Sequence, residues 1–207
     1  MLVSSVVKLK QHFIDDLRHF KNKNSEEWET KYRKATHRVL SSVFFYVSGK
    51  TCFDRKNNLM AAIAFYYSLY HMSKALLFLL PTYSVDALRE VNHSKLLKLM
   101  KAEFVNKKLL NEDFVVEMDY LKEVREKANY SMGSWFSLNE ILEKEELKVK
   151  ACLSEAISLL KEIVGDDVSN IMSLIGDGIG DDWMDSYISK EEERAVVDFF
   201  LENQLTT

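Results

Sequence analysis

The stretch LMAAIAFYYSLYHMSKALLFLL, residues 59–80, decides the fold. It is apolar nearly all round, has no internal glycine or proline, and runs into Pro81, which cannot continue a helix interior. Length and pattern predict a helix over about residues 55–80, buried at the centre of a bundle. The run is long enough to span a bilayer. However, His71 and Lys74 lie well inside it beside Tyr66, Tyr67 and Tyr70, and a lysine in mid-span costs about 3 kcal/mol. The reading is therefore a core helix and no membrane. One stripe stands apart: Ala61, Ala64, Ser68, His71 and Ala75 recur at steps of three and four and share a face. Small side chains there admit another helix closely, and His71 sits among them.

Breakers are scarce in the rest of the chain, which has six glycines and one proline in 207 residues. Gly49, Pro81, Gly133 and Gly165 divide it into helix-length pieces, glycine fitting just past a helix C-terminus because it takes positive φ without strain. Two helices are expected first, over about residues 3–20 and 26–47, with Ser25 as N-cap of the second. In that second helix Trp28, Tyr32, Ala35, Val39 and Ser42 or Val43 form the apolar face. Lys31, Lys34 and Arg38 lie opposite, either solvated or touching phosphates. After Pro81 the pattern gives a helix over about 94–104 and another from the N-cap Asn111 to about 131. Ser137-Leu-Asn-Glu140 is a capping box opening a helix to about 164, and Ser189-Lys-Glu-Glu192 repeats the box before a short helix over 195–201. The prediction is an all-α helical bundle in three segments: an N-terminal helical extension (1–50), a bundle of four to five helices (51–165) and an acidic C-terminal segment (166–207).

The formal net charge of −4 excludes a bulk pull toward nucleic acid. The charge is uneven, since residues 166–207 hold 11 of the 32 acidic and 2 of the 28 basic side chains. The body is thus about +5 and the last segment about −9, either a solubilising appendage or a contact for a basic partner. Cys52 and Cys152 are far apart without metal spacing and read as buried thiols of a reducing compartment. The opening residues MLVSSVVKLKQHF lack a basic region ahead of an apolar run, so the expectation is a cytoplasmic protein without a signal peptide.

Catalytic signatures for nucleotide binding, zinc hydrolysis and serine nucleophiles are absent. Residues 177–188 are acidic enough for a calcium loop, but Ile179 and Ile188 stand where ligands belong. Glu145-Glu146 and Asp15-Asp16 read as solvated helix faces. No metal and no cofactor is expected.

Two segments carry further information: Ala61-Ala-Ile-Ala-Phe-Tyr-Tyr-Ser-Leu-Tyr-His-Met-Ser-Lys-Ala-Leu-Leu77 and Leu121-Lys-Glu-Val-Arg-Glu-Lys-Ala-Asn-Tyr130. In order and spacing they resemble the HEPN superfamily of prokaryotic toxins and defence proteins, and Asn92-His93-Ser-Lys-Leu96 resembles the segment between them. The likeness covers about residues 55–165. It implies a helical bundle that often dimerises, with Arg125 near the dimer interface in a shared cleft. In nuclease members an arginine, a polar residue and a histidine on that helix cut RNA, the arginine gripping phosphate and the histidine moving a proton.

Here no histidine follows Arg125 on that helix; Tyr130 stands near its place, and a phenol with an ordinary pKa near 10 is a poor base at pH 7. The candidate catalytic set is Arg125, Tyr130 and His71, and the candidate ligand-binding set Arg125, Asn129 and Lys74. Their bland roles are an ion pair for Arg125, a buried hydrogen-bonded ring for Tyr130, a satisfied core imidazole for His71, and for Lys74 an apolar stem with an exposed head. Phe65, Tyr66, Tyr67 and Tyr70 read as core. The function expected is a non-catalytic interaction or regulatory module of a bacterial defence or toxin–antitoxin system. It would act as a homodimer or with a partner such as a nucleotidyltransferase or defence effector. The alternatives are a metal-independent ribonuclease centred on Arg125, binding RNA or a nucleotide, and an unrelated helical scaffold.

Overall fold

The computed structural model describes residues 2–130, 138–165 and 190–203, with side chains from Lys8 onward except those of 128–130, 138–141, 143 and 193. These form eight helices and no strand: α1 (Leu2–Lys23), α2 (Ser25–Asp54), α3 (Asn58–Phe78), α4 (Val85–Arg89), α5 (His93–Met100) running into a π-helical turn (Lys101–Val105), α6 (Asp113–Tyr130), α7 (Leu138–Val164) and α8 (Lys190–Glu202). The all-α expectation holds. No helix among the described residues is long and apolar enough to cross a membrane.

α3 is the central helix and packs on α2, α6 and α7 as well as on the short α4 and α5. Phe65, Tyr66, Leu69, Met72, Leu76 and Leu77 on it are fully buried. Its small-residue stripe meets α2, which runs antiparallel along it. Gly49 lies against Ala64 and Phe65, Ser42 and Ser68 exchange hydroxyl-to-carbonyl bonds of 2.8 Å, and Arg38 reaches His71. A Cβ on Gly49 would come within 2.7 Å of the buried Phe65 ring, so glycine here serves close approach and not termination.

The expected end of the second helix near residue 47 is thus wrong, and the boundary at residue 50 falls inside α2. The helix closes at Asp54 in a Schellman arrangement, Lys56 N–H donating to Phe53 O (2.8 Å) and Asn57 N–H to Cys52 O (2.8 Å). The left-handed position is held by Lys56, φ 60°. A lysine there gives no sequence signal. Lys108, φ 56°, closes the π-helical turn the same way, with Leu109 N–H donating to Phe104 O (2.8 Å). Gly165, φ 62°, does follow α7 as expected. Ser25 is the first residue of α2 and not its cap; Asn24 holds that position without a side-chain capping bond, its amide donating back to Phe20 O (3.3 Å). The short α4, capped by Ser84, was not anticipated. Gly133, both capping-box serines and the calcium-like loop lie outside the described residues.

α8 is part of the core. Val196, Phe199 and Phe200 are buried, Phe199 packs 5.1 Å from Tyr46 of α2, and Lys150 of α7 pairs with Glu202 at 2.9 Å. Cys152 is buried as expected; Cys52 is only partly so.

Two lysines are buried by helix ends. Lys31, 1% exposed, donates to Leu80 O (2.7 Å) and Tyr83 O (2.6 Å) in the turn that follows α3, with Glu27 at 3.3 Å. It was expected on a polar face with Lys34 and Arg38; Lys34 is exposed and Arg38 half-buried. Lys74 is also buried, not exposed at its head. Its ammonium donates to Leu88 O (2.5 Å) and Arg89 O (3.4 Å) at the end of α4.

Candidate functional site

α3 projects Tyr66, Tyr67, Tyr70 and His71 toward three neighbours: Arg38 and Phe45 on α2, His93 at the start of α5, and Arg125 on α6. Asn92 caps α5 by accepting from Lys95 N–H (2.9 Å), which fixes His93 beside the tyrosines. The rings interlock, His71 stacking on Phe45 (5.2 Å, 9°) and His93 lying 4.8 Å from Tyr70. Tyr66 is fully buried, its hydroxyl hydrogen-bonded to His93 Nδ1 and its pKa raised by burial. Tyr67, Tyr70, Phe45, His71 and His93 are half-buried, so the core reading holds fully only for Phe65 and Tyr66.

Arg125 lies over this cluster. Its guanidinium is 4.7 Å from the Tyr66 ring centre and 5.9 Å from that of Tyr67, a cation–π arrangement. Nη1 lies 3.5 Å from Tyr67 Oη, and Nη2 is 3.5 Å from Glu126. Its Nε is buried without a partner. The side chain is 15% exposed, so it reaches solvent while resting on the rings.

His71 also neighbours Tyr67, 6.3 Å from it centre to centre. Arg38 Nη1 is 2.9 Å from His71 Nδ1. Guanidinium only donates, so Nδ1 accepts and the imidazole proton sits on Nε2. Burial first, then the charges of Arg38 and Lys74, pull the His71 pKa down to about 4. The His93 pKa is lowered too, by burial and by Arg125. At neutral pH His71 is therefore a neutral ring whose lone pair is already engaged.

The structure thus places His71 and Arg125 each against Tyr67. It gives the Lys74 ammonium to the α4 carbonyls, with the Tyr70 ring 5.5 Å away. Asn129 and Tyr130 follow on the last turn of α6, and their side chains lie outside the described residues. Arg38, Phe45 and His93 were not in the candidate set. The stripe carrying His71 pointed to a close neighbouring helix without saying which, and the Asn-His-Ser segment to His93, but no sequence spacing joins residues 38 and 125.

What this assembly offers is cationic and aromatic: guanidiniums on half-exposed rings suit an anion or a planar group. Proton transfer is poorly served, since burial and cations hold the imidazoles below their ordinary pKa. A separate cleft of about 500 Å³ between α2, α7 and α8, lined by Lys50, Asp54, Lys150 and Asp198 among others, shares no residue with the cluster. No set of three or more metal-ligating side chains occurs among the described residues.

The carboxylates depart most from expectation. Glu145 is buried, facing Glu117 of α6, and Glu146 accepts a hydrogen bond from Tyr46, so neither sits on a freely solvated face. Comparison with family models, curated proteins and solved structures finds no match for this chain.

Proposed function

We propose that this chain is a HEPN-like, non-catalytic interaction module of a bacterial defence or toxin–antitoxin system, acting in the cytoplasm through the face around Arg125. The observation that carries the reading is the state of His71. It borders Tyr67, the ring that Arg125 also reaches, yet Arg38 occupies its Nδ1 and its pKa stands near 4. Charge and rings remain available for holding a partner, while the proton-transfer step lacks an agent. A partner encoded beside this chain, such as a nucleotidyltransferase, or a second copy, fits that role.

The test has two arms. Purified protein is incubated with a labelled single-stranded RNA; intact RNA is expected. Co-expression with the neighbouring gene product, followed by size-exclusion chromatography, should give a complex that Arg125→Glu dissolves while the variant keeps its helical circular dichroism. A complex indifferent to Arg125→Glu removes this face from the interaction.

A second reading, an Arg125-centred ribonuclease, is favoured by the unpartnered Arg125 Nε and by Arg125 and His71 bordering one ring. RNA cleavage lost in both Arg125→Ala and His71→Ala would establish it. Truncation after residue 165 is not a clean probe of the acidic segment, because it strips Phe199 and Phe200 from the core.

A further inference from the structure

Glu117 on α6 and Glu145 on α7 are 4% and 5% exposed, the only buried acidic side chains among the described residues. They meet across the α6–α7 seam within hydrogen-bonding reach of each other. One cation serves both: Lys148 Nζ is 2.7 Å from Glu145 Oε1 and 3.5 Å from Glu117 Oε2. The remaining oxygens, Glu117 Oε1 and Glu145 Oε2, are buried and have no partner.

Two ionised carboxylates would leave net negative charge and two bare acceptors out of water, which is strongly unfavourable. One proton relieves this. The protonated carboxyl can donate to the other, and the remaining anion balances Lys148.

We propose that Glu117 and Glu145 hold one shared proton at neutral pH, so that the α6–α7 seam is a latch closed by protonation and loosened in alkali. The other titratable groups facing the pair are Tyr120 on α6 and Cys152 on α7, and the Asp113 and Glu155 carboxylates act on Cys152 as Glu117 does, adding negative charge. α3 packs across the same helix and presents Ser73 to Met118; its one ionised side chain, Lys74, is bonded to the end of α4. Only Lys148 therefore opposes the negative charge. Burial, then the Glu145 hydrogen bond and charge, raise the Glu117 pKa to about 8.

The sign follows from proton counts. Between pH 4.5 and about 8 the folded chain keeps a proton that the unfolded chain releases. The pair's contribution to stability thus falls as pH rises through that window and levels off above it. Glu117→Gln supplies a permanent donor of the same shape and abolishes the dependence.

The experiment measures the melting temperature of the full chain from pH 6.5 to 9 for wild type, Glu117→Gln and Glu145→Gln. It also records infrared difference spectra at pH 7. Wild type should lose at least about 3 °C more than either variant across that range, and show a protonated-carboxyl C=O band that each variant lacks. Equal pH slopes in all three, or no such band in wild type, overturns the proposal. If neither variant folds, the wild-type band on titration from pH 6 to 9 decides alone: disappearance near pH 8 supports the shared proton, and absence throughout refutes it.

Discussion

Charge is buried in this bundle in two ways. Lys31 is sunk against two carbonyls of the turn that follows α3, and Lys74 against the last carbonyls of α4, which have no helical amide left to accept from. Their charge meets oxygens that need a donor, and both partners gain. Glu117 and Glu145 are sunk against each other, so charge meets like charge and a single lysine stands between. Whether a buried ionisable side chain keeps its charge depends on what its neighbours offer, and α6 carries both answers: a cation on aromatic faces at Arg125 and a carboxyl crowded by a carboxyl two turns earlier.

The comparison can be broken most decisively at Lys31. Lys31→Met keeps the stem but strands two carbonyls and Glu27, so chemical denaturation should show a loss of about 3 kcal/mol. A loss below about 0.5 kcal/mol would mean that the ammonium is not anchoring the α3 end. Lys74→Met should cost less, about 2 kcal/mol, because its second contact is 3.4 Å long; a loss exceeding that of Lys31→Met would reverse the order. At the seam, Lys148→Met should cost roughly 1 kcal/mol more at pH 9, where it removes the counter-charge of two carboxylates, than at pH 5, where it removes that of one. A constant penalty across that range would contradict the contrast.

The finest test is His71. Its folded pKa of about 4 lies below the ordinary 6.5, so the unfolded chain takes up a proton first on acidification and stability drops as pH falls from about 6.5 to 4. That slope opposes the carboxyl pair's over the shared part of their windows, and the pair acts alone above pH 6.5. By nitrogen-detected NMR, His71 should stay the Nε2–H tautomer from pH 8 to 5.5. A midpoint within that interval would show that neither burial nor Arg38 governs it.

Much of the fold was legible because an uninterrupted apolar helix admits few interpretations. The stripe through Ala64, Ser68 and His71 likewise announced a close neighbour before α2 was placed there. Termini were harder. Gly49 looked like punctuation and is a packing residue, while Lys56 and Lys108 take left-handed positions that sequence reading reserves for glycine. Arg125 and His71 were legible as candidates, whereas Arg38, which sets the proton on His71, was not, because its effect is created by tertiary contact. The buried lysines and Glu145 were misread for the same reason: charge in a sequence predicts exposure until a partner, here a carbonyl or a second carboxyl, is brought by a distant element.

The packing of Phe199 and Phe200 has a consequence for synthesis. Tyr46 on α2 emerges from the ribosome long before the helix that covers it. A nascent chain with α1 to α7 complete would still present an open apolar wall. Messages broken ahead of α8 should therefore yield products that chaperones and proteases recognise.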